Sequence, residues 1–188
     1  MRLFIAYDID RKFRKECEYT ILKGMKIYRS EIKWVKVENL HFTLLFLGDV
    51  LYEDLDIVKL YLDEFATKLY VLHLKNGQLR WDKLHKPRTI WIEYTLDNKE
   101  IMELRNNFAS KLQKILPYLK INVKDFRFHL TLGRVQKELN IDRWLLHEEV
   151  INTTSTLENI SLYESILSPS GRVYKNLLSY KLQGDNHG

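Results

Sequence analysis

A short motif, His-Xaa-Thr-Leu, occurs twice in this chain of 188 residues, as His41-Phe42-Thr43-Leu44 and as His129-Leu130-Thr131-Leu132. A shuffled chain of the same composition would contain about 0.05 copies, so chance is a poor explanation for two. Both copies lie in apolar stretches typical of β-strands, where residues two apart face the same side. Each histidine should therefore share a face with its own threonine. The residues between and after them should face the core: Phe42, Leu44, Leu130 and Leu132.

Strand and helix patterns follow one another in two comparable halves, each of which contains one His-Xaa-Thr strand. The expected strands are at about 3–8, 32–37, 41–48, 71–80, 89–95, 129–135, 159–167 and 173–182. The expected helices are at about 11–28, 53–69, 97–116 and 141–149, with Asp10 and Asp97 as N-caps. No linker separates the halves, so residues 1–188 are predicted to form a single domain of two α+β lobes around a shared cleft. A doubly wound nucleotide-binding sheet is disfavoured because no glycine-rich loop follows the first strand.

The composition is that of an ordinary soluble globular protein, with 45% hydrophobic and 29% charged residues. The longest apolar stretches are too short to span a bilayer, and we expect a cytoplasmic protein. A formal net charge of +5 leaves basic side chains available for a polyanion such as RNA, although charged runs are mostly solvated surface. The single cysteine, Cys17, is expected to be a packing residue.

Two histidines can carry out hydrolysis of a cyclic phosphodiester without a metal, because one accepts a proton from water while the other donates one to the departing ribose oxygen. Imidazole suits both tasks because its ordinary pKa lies close to neutrality. Thr43 and Thr131 can donate hydroxyl hydrogen bonds to the phosphate oxygens between the histidines. Arg134, five residues after His129, is a further candidate donor, but simple alternation does not decide which side of the strand it faces.

The motif histidines have two other interpretations. A zinc site at His41 and His129 would need a third ligand, and no His-Xaa3-His, cysteine pair or clustered carboxylate accompanies either motif. A module that only binds RNA ends would use Lys124, Arg127 and Arg134 equally well, yet it has no need of two titratable imidazoles. The other histidines lack a matching partner and are interpreted as structural or surface residues: His73, His85, His147 and His187.

Several further segments carry a resemblance to a known family: 1–6, 34–48, 87–91 and 164–174. Together with the two motifs they make the chain resemble the 2H phosphoesterases, specifically the RNA 2′,3′-cyclic phosphodiesterases, also called 2′-5′ RNA ligases, over nearly its whole length. The resemblance implies two pseudo-symmetric lobes of mainly antiparallel sheet with outer helices around a central cleft, and neither metal nor other cofactor. It implies that His41 protonates the leaving 3′ oxygen, that His129 activates water, and that Thr43 and Thr131 hold the phosphate. The product would be a 2′-phosphomonoester.

Two positions depart from the family pattern, since Phe128 and Arg172 each stand where proline is common. The expected partner is RNA with a 2′,3′-cyclic phosphate end, with tRNA fragments and nucleotides among the candidates, and the protein is expected to be a monomer. Hydrolysis and the reverse 2′-5′ ligation use the same histidines, so the sequence leaves the direction open. Three aromatic residues could stack on a base, and the sequence does not choose among them: Tyr7, Phe46 and Tyr163.

Overall fold

The computed structural model describes residues 1–82, 86–95, 99–123, 127–137, 150–151, 154–169 and 171–184. The strands are β1 (Arg2–Asp8), β2 (Ile32–Trp34), β3 (His41–Asp49), β4 (Leu72–Leu74), β5 (Gly77–Trp81), β6 (Thr89–Glu93), β7 (His129–Val135), β8 (Val150–Ile151), β9 (Ser155–Leu157), β10 (Asn159–Ser168) and β11 (Gly171–Lys181). The helices are α1 (Arg11–Ile27), α2 (Leu55–Ala66) and α3 (Lys99–Ile115), with short 3-10 turns at Val37–Asn39 and Tyr52–Asp54. The predicted α+β class is therefore confirmed.

The helices form where their apolar residues recur at helical spacing. Asp10 caps α1 as predicted, because its carboxylate accepts a hydrogen bond of 2.8 Å from the Phe13 backbone N–H. Phe13, Cys17 and Ile21 then fall on one buried stripe, which confirms the packing role of the cysteine. None of the helices in the described ranges is long and apolar enough to cross a membrane. The predicted cap Asp97 and the predicted helix at 141–149 lie outside the described residues.

Two predicted strands are wrong in their extent. The strand expected at 32–37 ends at Trp34, and a 3-10 turn begins at Val37. The stretch 71–80 divides into β4, which pairs with β9, and β5, which belongs to a different sheet. The division occurs at Asn76, whose φ of 56° is left-handed and breaks the extended backbone. Gly77 follows at a close approach, because a Cβ there would lie 2.5 Å from the ring of Tyr94. Apolar alternation does not reveal the break, but the Asn76-Gly77 dipeptide is a turn signal at this position.

The two large sheets are antiparallel and share one plan. The first sheet has the order β11-β10-β1-β3, and the second has the order β8-β5-β6-β7 with β2 added beyond β7. In each half a strand leads into a long helix and the chain returns as the histidine strand, β1-α1-β3 in one and β6-α3-β7 in the other. The two lobes are thus pseudo-symmetric, with the histidine strands in corresponding places.

Each histidine strand also contains a one-residue bulge directly after its threonine. In the first sheet Ala6 pairs with Thr43 and Ile5 pairs with Leu45, so Leu44 has no partner in β1. In the second sheet Trp91 pairs with Thr131 and Ile90 with Gly133, which leaves Leu132 as the extra residue. The extra residue in a bulge reverses the face of the sheet to which each following side chain points. The lobes therefore share a local irregularity as well as their topology.

A bulged residue needs another partner for its backbone carbonyl. The Leu132 carbonyl accepts a hydrogen bond of 2.8 Å from the Val35 N–H, which directly follows the neighbouring strand β2. Because β3 is an edge strand, the Leu44 carbonyl instead accepts from the buried Arg105 of α3, at 2.8 Å from Nε. The same guanidinium donates to the carbonyls of Val123 and Asn122, at 2.8 and 3.2 Å. Arg105 thereby joins the bulge in one histidine strand to the chain that leads into the other.

One hydrophobic core runs beneath both histidine strands. The predicted inward residues Phe42, Leu44, Leu130 and Leu132 are all buried. The ring of Phe128 is stacked on that of Phe42, with centroids 4.7 Å apart, and meets Tyr7 edge-on at 5.9 Å. The residue that replaces the common proline before His129 therefore contributes to the packing between the two lobes.

We predict that Arg105→Met lowers the free energy of unfolding by about 3 kcal/mol, because it leaves the buried Leu44 carbonyl and the partly buried Val123 and Asn122 carbonyls without this donor. Arg105→Lys should fall between this variant and the unmodified protein, since an ammonium can restore part of the hydrogen bonding. Urea denaturation followed by circular dichroism measures both. Lys114→Met on the exposed face of the same helix is the control, with an expected change within about 0.5 kcal/mol. Equal stability of Arg105→Met and the control would contradict this role.

Candidate active site

The two histidine strands lie next to each other where the two sheets meet. By strand register, His41 and Thr43 share a face with Asp8 and Ala6, and His129 and Thr131 share a face with Glu93 and Trp91. We call the groove between these two faces the cleft. Both histidines are half-buried. The structure thus brings together the four motif residues that the sequence singled out.

The two imidazoles are fixed in the same way. His41 Nδ1 lies 2.7 Å from the Asn39 carbonyl oxygen, and His129 Nδ1 lies 2.8 Å from the Arg127 carbonyl oxygen, in each case two residues earlier in the chain. A carbonyl can only accept, so Nδ1 carries the hydrogen in both rings. In the neutral state Nε2 therefore holds the lone pair. Each ring presents its Nε2 as the nitrogen that can accept or donate a proton in the cleft.

The threonines differ in what they contact. Thr43 Oγ1 lies 3.0 Å from His41 Nε2, so its hydroxyl donates to the neutral ring before any phosphate binds. Thr131 lies opposite Trp91 in the sheet, on the face of His129. When the His41 ring takes up a proton, Nε2 becomes a donor and the Thr43 hydroxyl hydrogen is released to point elsewhere. The predicted donation by Thr43 thus requires a change in its present hydrogen bond.

The bulge at Leu132 determines the face of β7 on which the Arg134 side chain lies. Without it, a residue five places after His129 would face the core, but the extra residue Leu132 restores Arg134 to the face of Thr131, where it pairs with Thr89. Its side chain is exposed. In the other lobe the corresponding position is Phe46, which pairs with Phe4 and is 63% exposed. One lobe therefore presents a cation and the other an aromatic ring at equivalent places.

The carboxylate of Asp8 lies opposite His41 in the sheet. Its two oxygens each accept a hydrogen bond of 2.6 Å, from Ser161 Oγ and from the Tyr163 hydroxyl. Burial lowers the pKa of His41 below its ordinary value of 6.5. The Asn39 carbonyl and the Asp8 carboxylate oppose this shift, whereas His129 and Arg14 add to it. The neutral ring is therefore the favoured state of His41 near neutral pH in the absence of an anion.

The matching carboxylate in the second lobe is Glu93, which lies opposite His129. It differs from Asp8 in its partner, because Arg80 Nε lies 3.9 Å from it. The cation partly neutralises Glu93, while the hydroxyls around Asp8 leave that negative charge intact. The indole of Trp91 lies beside His129, with ring centroids 6.3 Å apart and the planes nearly perpendicular.

Sequence reasoning did not identify either carboxylate. A usable signal was present, since each is the acidic residue that ends the apolar strand before the long helix that precedes a His-Xaa-Thr strand. Of the three aromatic residues considered for base stacking, Tyr7 is fully buried and Tyr163 holds Asp8, which leaves Phe46 as the exposed one. His73 lies on β4 with Nδ1 3.4 Å from Thr156 Oγ1. His85, His147, His187 and Lys124 lie outside the described residues.

Comparison with known proteins places the chain in a family. The sequence model of the LigT-like phosphoesterase family matches residues 19–91. An Archaeoglobus fulgidus protein named RNA 2′,3′-cyclic phosphodiesterase is 34% identical over 179 residues, which cover 94% of this chain and 98% of the relative. The chain belongs to the LigT-like RNA 2′,3′-cyclic phosphodiesterase family. A Methanocaldococcus jannaschii protein of the same name is 31% identical over 186 residues, covering 93% of this chain and 97% of that relative.

Solved structures extend the comparison of this phosphodiesterase at the level of the fold. A Thermus thermophilus protein superimposes with a TM-score of 0.82 and 21% identity, covering 99% of this chain and 100% of that one. Escherichia coli LigT in complex with 3′-AMP gives a TM-score of 0.72 and 20% identity, covering 97% and 98%. Among the described residues, no group of three histidine, cysteine, aspartate or glutamate side chains is arranged to hold a metal ion.

We predict that Asp8→Asn in this phosphodiesterase lowers the pKa of His41 further, because it removes the negative charge that favours the protonated ring. Titration of the histidine side chains by NMR measures the shift. Asp49→Asn, at the far end of β3, should leave the pKa of His41 unchanged. An unchanged or raised pKa in Asp8→Asn would show that the carboxylate does not act on His41.

Proposed function

We propose that this protein hydrolyses RNA 2′,3′-cyclic phosphate ends to 2′-phosphomonoesters by two-histidine general acid–base catalysis without a metal. The observation that carries the proposal is the matched fixing of the two imidazoles. Each Nδ1 is bonded to a carbonyl, so His41 and His129 both offer Nε2 for proton transfer. Two such groups on facing strands are what an in-line displacement at phosphorus requires, one for the attacking water and one for the leaving oxygen.

The proposed step transfers one proton at each histidine. His129 Nε2 accepts a proton from water as the water oxygen forms a bond to phosphorus. The bond between phosphorus and the ribose 3′ oxygen breaks, and His41 Nε2–H donates its proton to that oxygen. The phosphate stays on the 2′ oxygen, His129 ends protonated and His41 ends neutral. Exchange of one proton with solvent at each ring restores the starting state.

The two carboxylates support this division of roles. The Asp8 charge faces His41 and accepts hydrogen bonds from two hydroxyls, so it stabilises an imidazolium there and favours a proton donor. Arg80 offsets the Glu93 charge beside His129, which suits a ring that must be neutral to accept a proton. Burial opposes protonation of His41 in the free protein, and the anionic phosphodiester would reverse this when it binds. Substrate binding would thus prepare the general acid.

Three side chains are proposed to hold the phosphate. Thr43 and Thr131 lie on the faces of the two histidines and can donate hydroxyl hydrogen bonds from opposite sides. Protonation of His41 would release the Thr43 hydroxyl from the ring, so the phosphate donor and the general acid would become available together. Arg134, on the same face as Thr131, can supply a charge that does not titrate.

The choice of RNA as substrate draws on the relatives, whose names state RNA 2′,3′-cyclic phosphodiesterase activity. The nucleotide bound in the Escherichia coli LigT complex, 3′-AMP, is consistent with a ribose in such a cleft. The exposed Phe46 ring at the cleft face is a surface on which a base could stack. The same two histidines acting in reverse would join a cyclic end to a 5′ hydroxyl in a 2′-5′ linkage.

The direct test incubates an RNA oligonucleotide ending in a 2′,3′-cyclic phosphate with the protein and an excess of EDTA. We expect complete opening, with phosphorus NMR showing the phosphate on the 2′ oxygen. His41→Ala and His129→Ala should each lower kcat by about 10²- to 10⁴-fold, which is the usual contribution of a positioned general acid or base.

Binding of the 2′-phosphate product provides the control, and it should change much less than kcat in both variants. Lack of opening by the unmodified protein, or loss of opening with EDTA, would contradict the proposal. Tight binding of the cyclic end without turnover would instead support a module that only binds RNA ends.

A further inference from the structure

We propose that a row of three basic side chains begins with Arg134 at the phosphate site and continues outward through Lys33 and Arg172, and that Lys33 and Arg172 bind the phosphodiester backbone of the nucleotides upstream of the cyclic end. This inference rests on the proposed function and adds to it a preference for oligonucleotides over single nucleotides. We call these three residues the cationic track. They come from β7, β2 and the start of β11, so three separate parts of the chain meet to form it.

The track begins at the phosphate site. Arg134 lies on the face of Thr131 because of the bulge at Leu132. Lys33 is its direct partner in the antiparallel pair of β2 and β7, and directly opposed residues point to the same side. Both side chains are exposed. Lys33 therefore continues the cleft face outward from Arg134.

The hairpin of β10 and β11 supplies the third cation. A Cβ built on Gly171 would lie 3.8 Å from Lys33 Nζ, so the ammonium lies against the turn of this hairpin. The next residue, Arg172, is exposed, and its guanidinium donates to Ser165 Oγ at 3.1 Å. The first lobe thus reaches across to the β2 edge of the second lobe, and the cations of both lobes lie in one row.

The turn is also attached to the catalytic strand. Asn39 Nδ2 donates to the Arg172 carbonyl oxygen at 2.9 Å, while the Asn39 carbonyl accepts from His41 Nδ1. The residue that orients the proposed general acid therefore also positions the end of the track. An RNA strand leaving the cleft along this path would pass the anchored turn and meet Arg172.

Charge favours a polyanion as the occupant. Within the described part of the chain, no salt bridge engages any of the three cations. Like charges on directly opposed strand residues repel, so the pair of Lys33 and Arg134 costs stability unless an anion lies between or above them. By strand geometry the track extends roughly 15 Å from Thr131, which suits the backbone of about two upstream nucleotides. A single-stranded RNA end supplies phosphates at successive points along this length.

The experiment compares kcat/KM for three substrates that end in the same cyclised adenosine: 2′,3′-cyclic AMP, a dinucleotide and a hexanucleotide. For the unmodified protein we expect kcat/KM to increase about tenfold from cyclic AMP to the hexanucleotide at low salt. Lys33→Gln and Arg172→Gln should each lower the hexanucleotide value about fivefold while changing the cyclic AMP value less than twofold. Each should also reduce the slope of log(kcat/KM) against log[salt] for the hexanucleotide by about 0.7.

Lys114→Gln, on the exposed face of α3, is the matched control, and it should leave kcat/KM unchanged for all three substrates. Equal kcat/KM for the three substrates with the unmodified protein would overturn the cationic track and leave the proposed function intact. Equal losses of kcat/KM for cyclic AMP and the hexanucleotide in Lys33→Gln or Arg172→Gln would also overturn it. The substituted residue would then act on the catalytic site and not on the upstream nucleotides. Failure of the unmodified protein to open any of the substrates would overturn the proposed function as well.

Discussion

The bulge that follows each His-Xaa-Thr sequence is the constraint on which the site depends. It allows the histidine and threonine to face the cleft while the next two leucines of β3, Leu44 and Leu45, are both buried. It also turns Phe46 and Arg134 back to the cleft. A bulge is stable only if its free carbonyl finds a donor, and the two lobes meet this need differently. The Val35 N–H, next to the neighbouring strand β2, donates to the Leu132 carbonyl. The Arg105 side chain donates to the Leu44 carbonyl at the edge of the sheet.

The pseudo-symmetric scaffold supports two chemically different half-sites. Both histidines are oriented by a carbonyl two residues earlier, and both face a carboxylate on the adjacent strand. The differences lie in the side chains around them. Hydroxyls surround Asp8, whereas Arg80 accompanies Glu93, and an aromatic ring at Phe46 corresponds to the cation at Arg134. The equal backbone plan places the two rings, and in the proposed mechanism the unequal surroundings favour opposite proton-transfer roles for them.

Much of this arrangement could be predicted from the sequence. Local patterns predicted the strands and helices, the Asp10 cap and the buried residues of both motifs, because these depend on alternation and spacing over a few residues. The side of Arg134 could not be predicted, since it depends on pairing between Leu132 and a strand far away in the chain. The same holds for Asp8, Glu93 and Arg105, whose importance arises from their partners. Asn76 broke a predicted strand through one backbone angle that alternation does not reveal.

The central claim is that His41 gives a proton and His129 takes one, and pH–rate profiles of the two alanine variants test it most directly. The unmodified protein should show a bell-shaped dependence of kcat/KM on pH. Removal of the general acid leaves only the requirement for a neutral base, so the His41→Ala rate should rise with pH to a plateau. The His129→Ala rate should fall with rising pH, because only the requirement for a protonated acid remains. A bell-shaped profile in both variants, or the two limbs exchanged between them, would contradict the account.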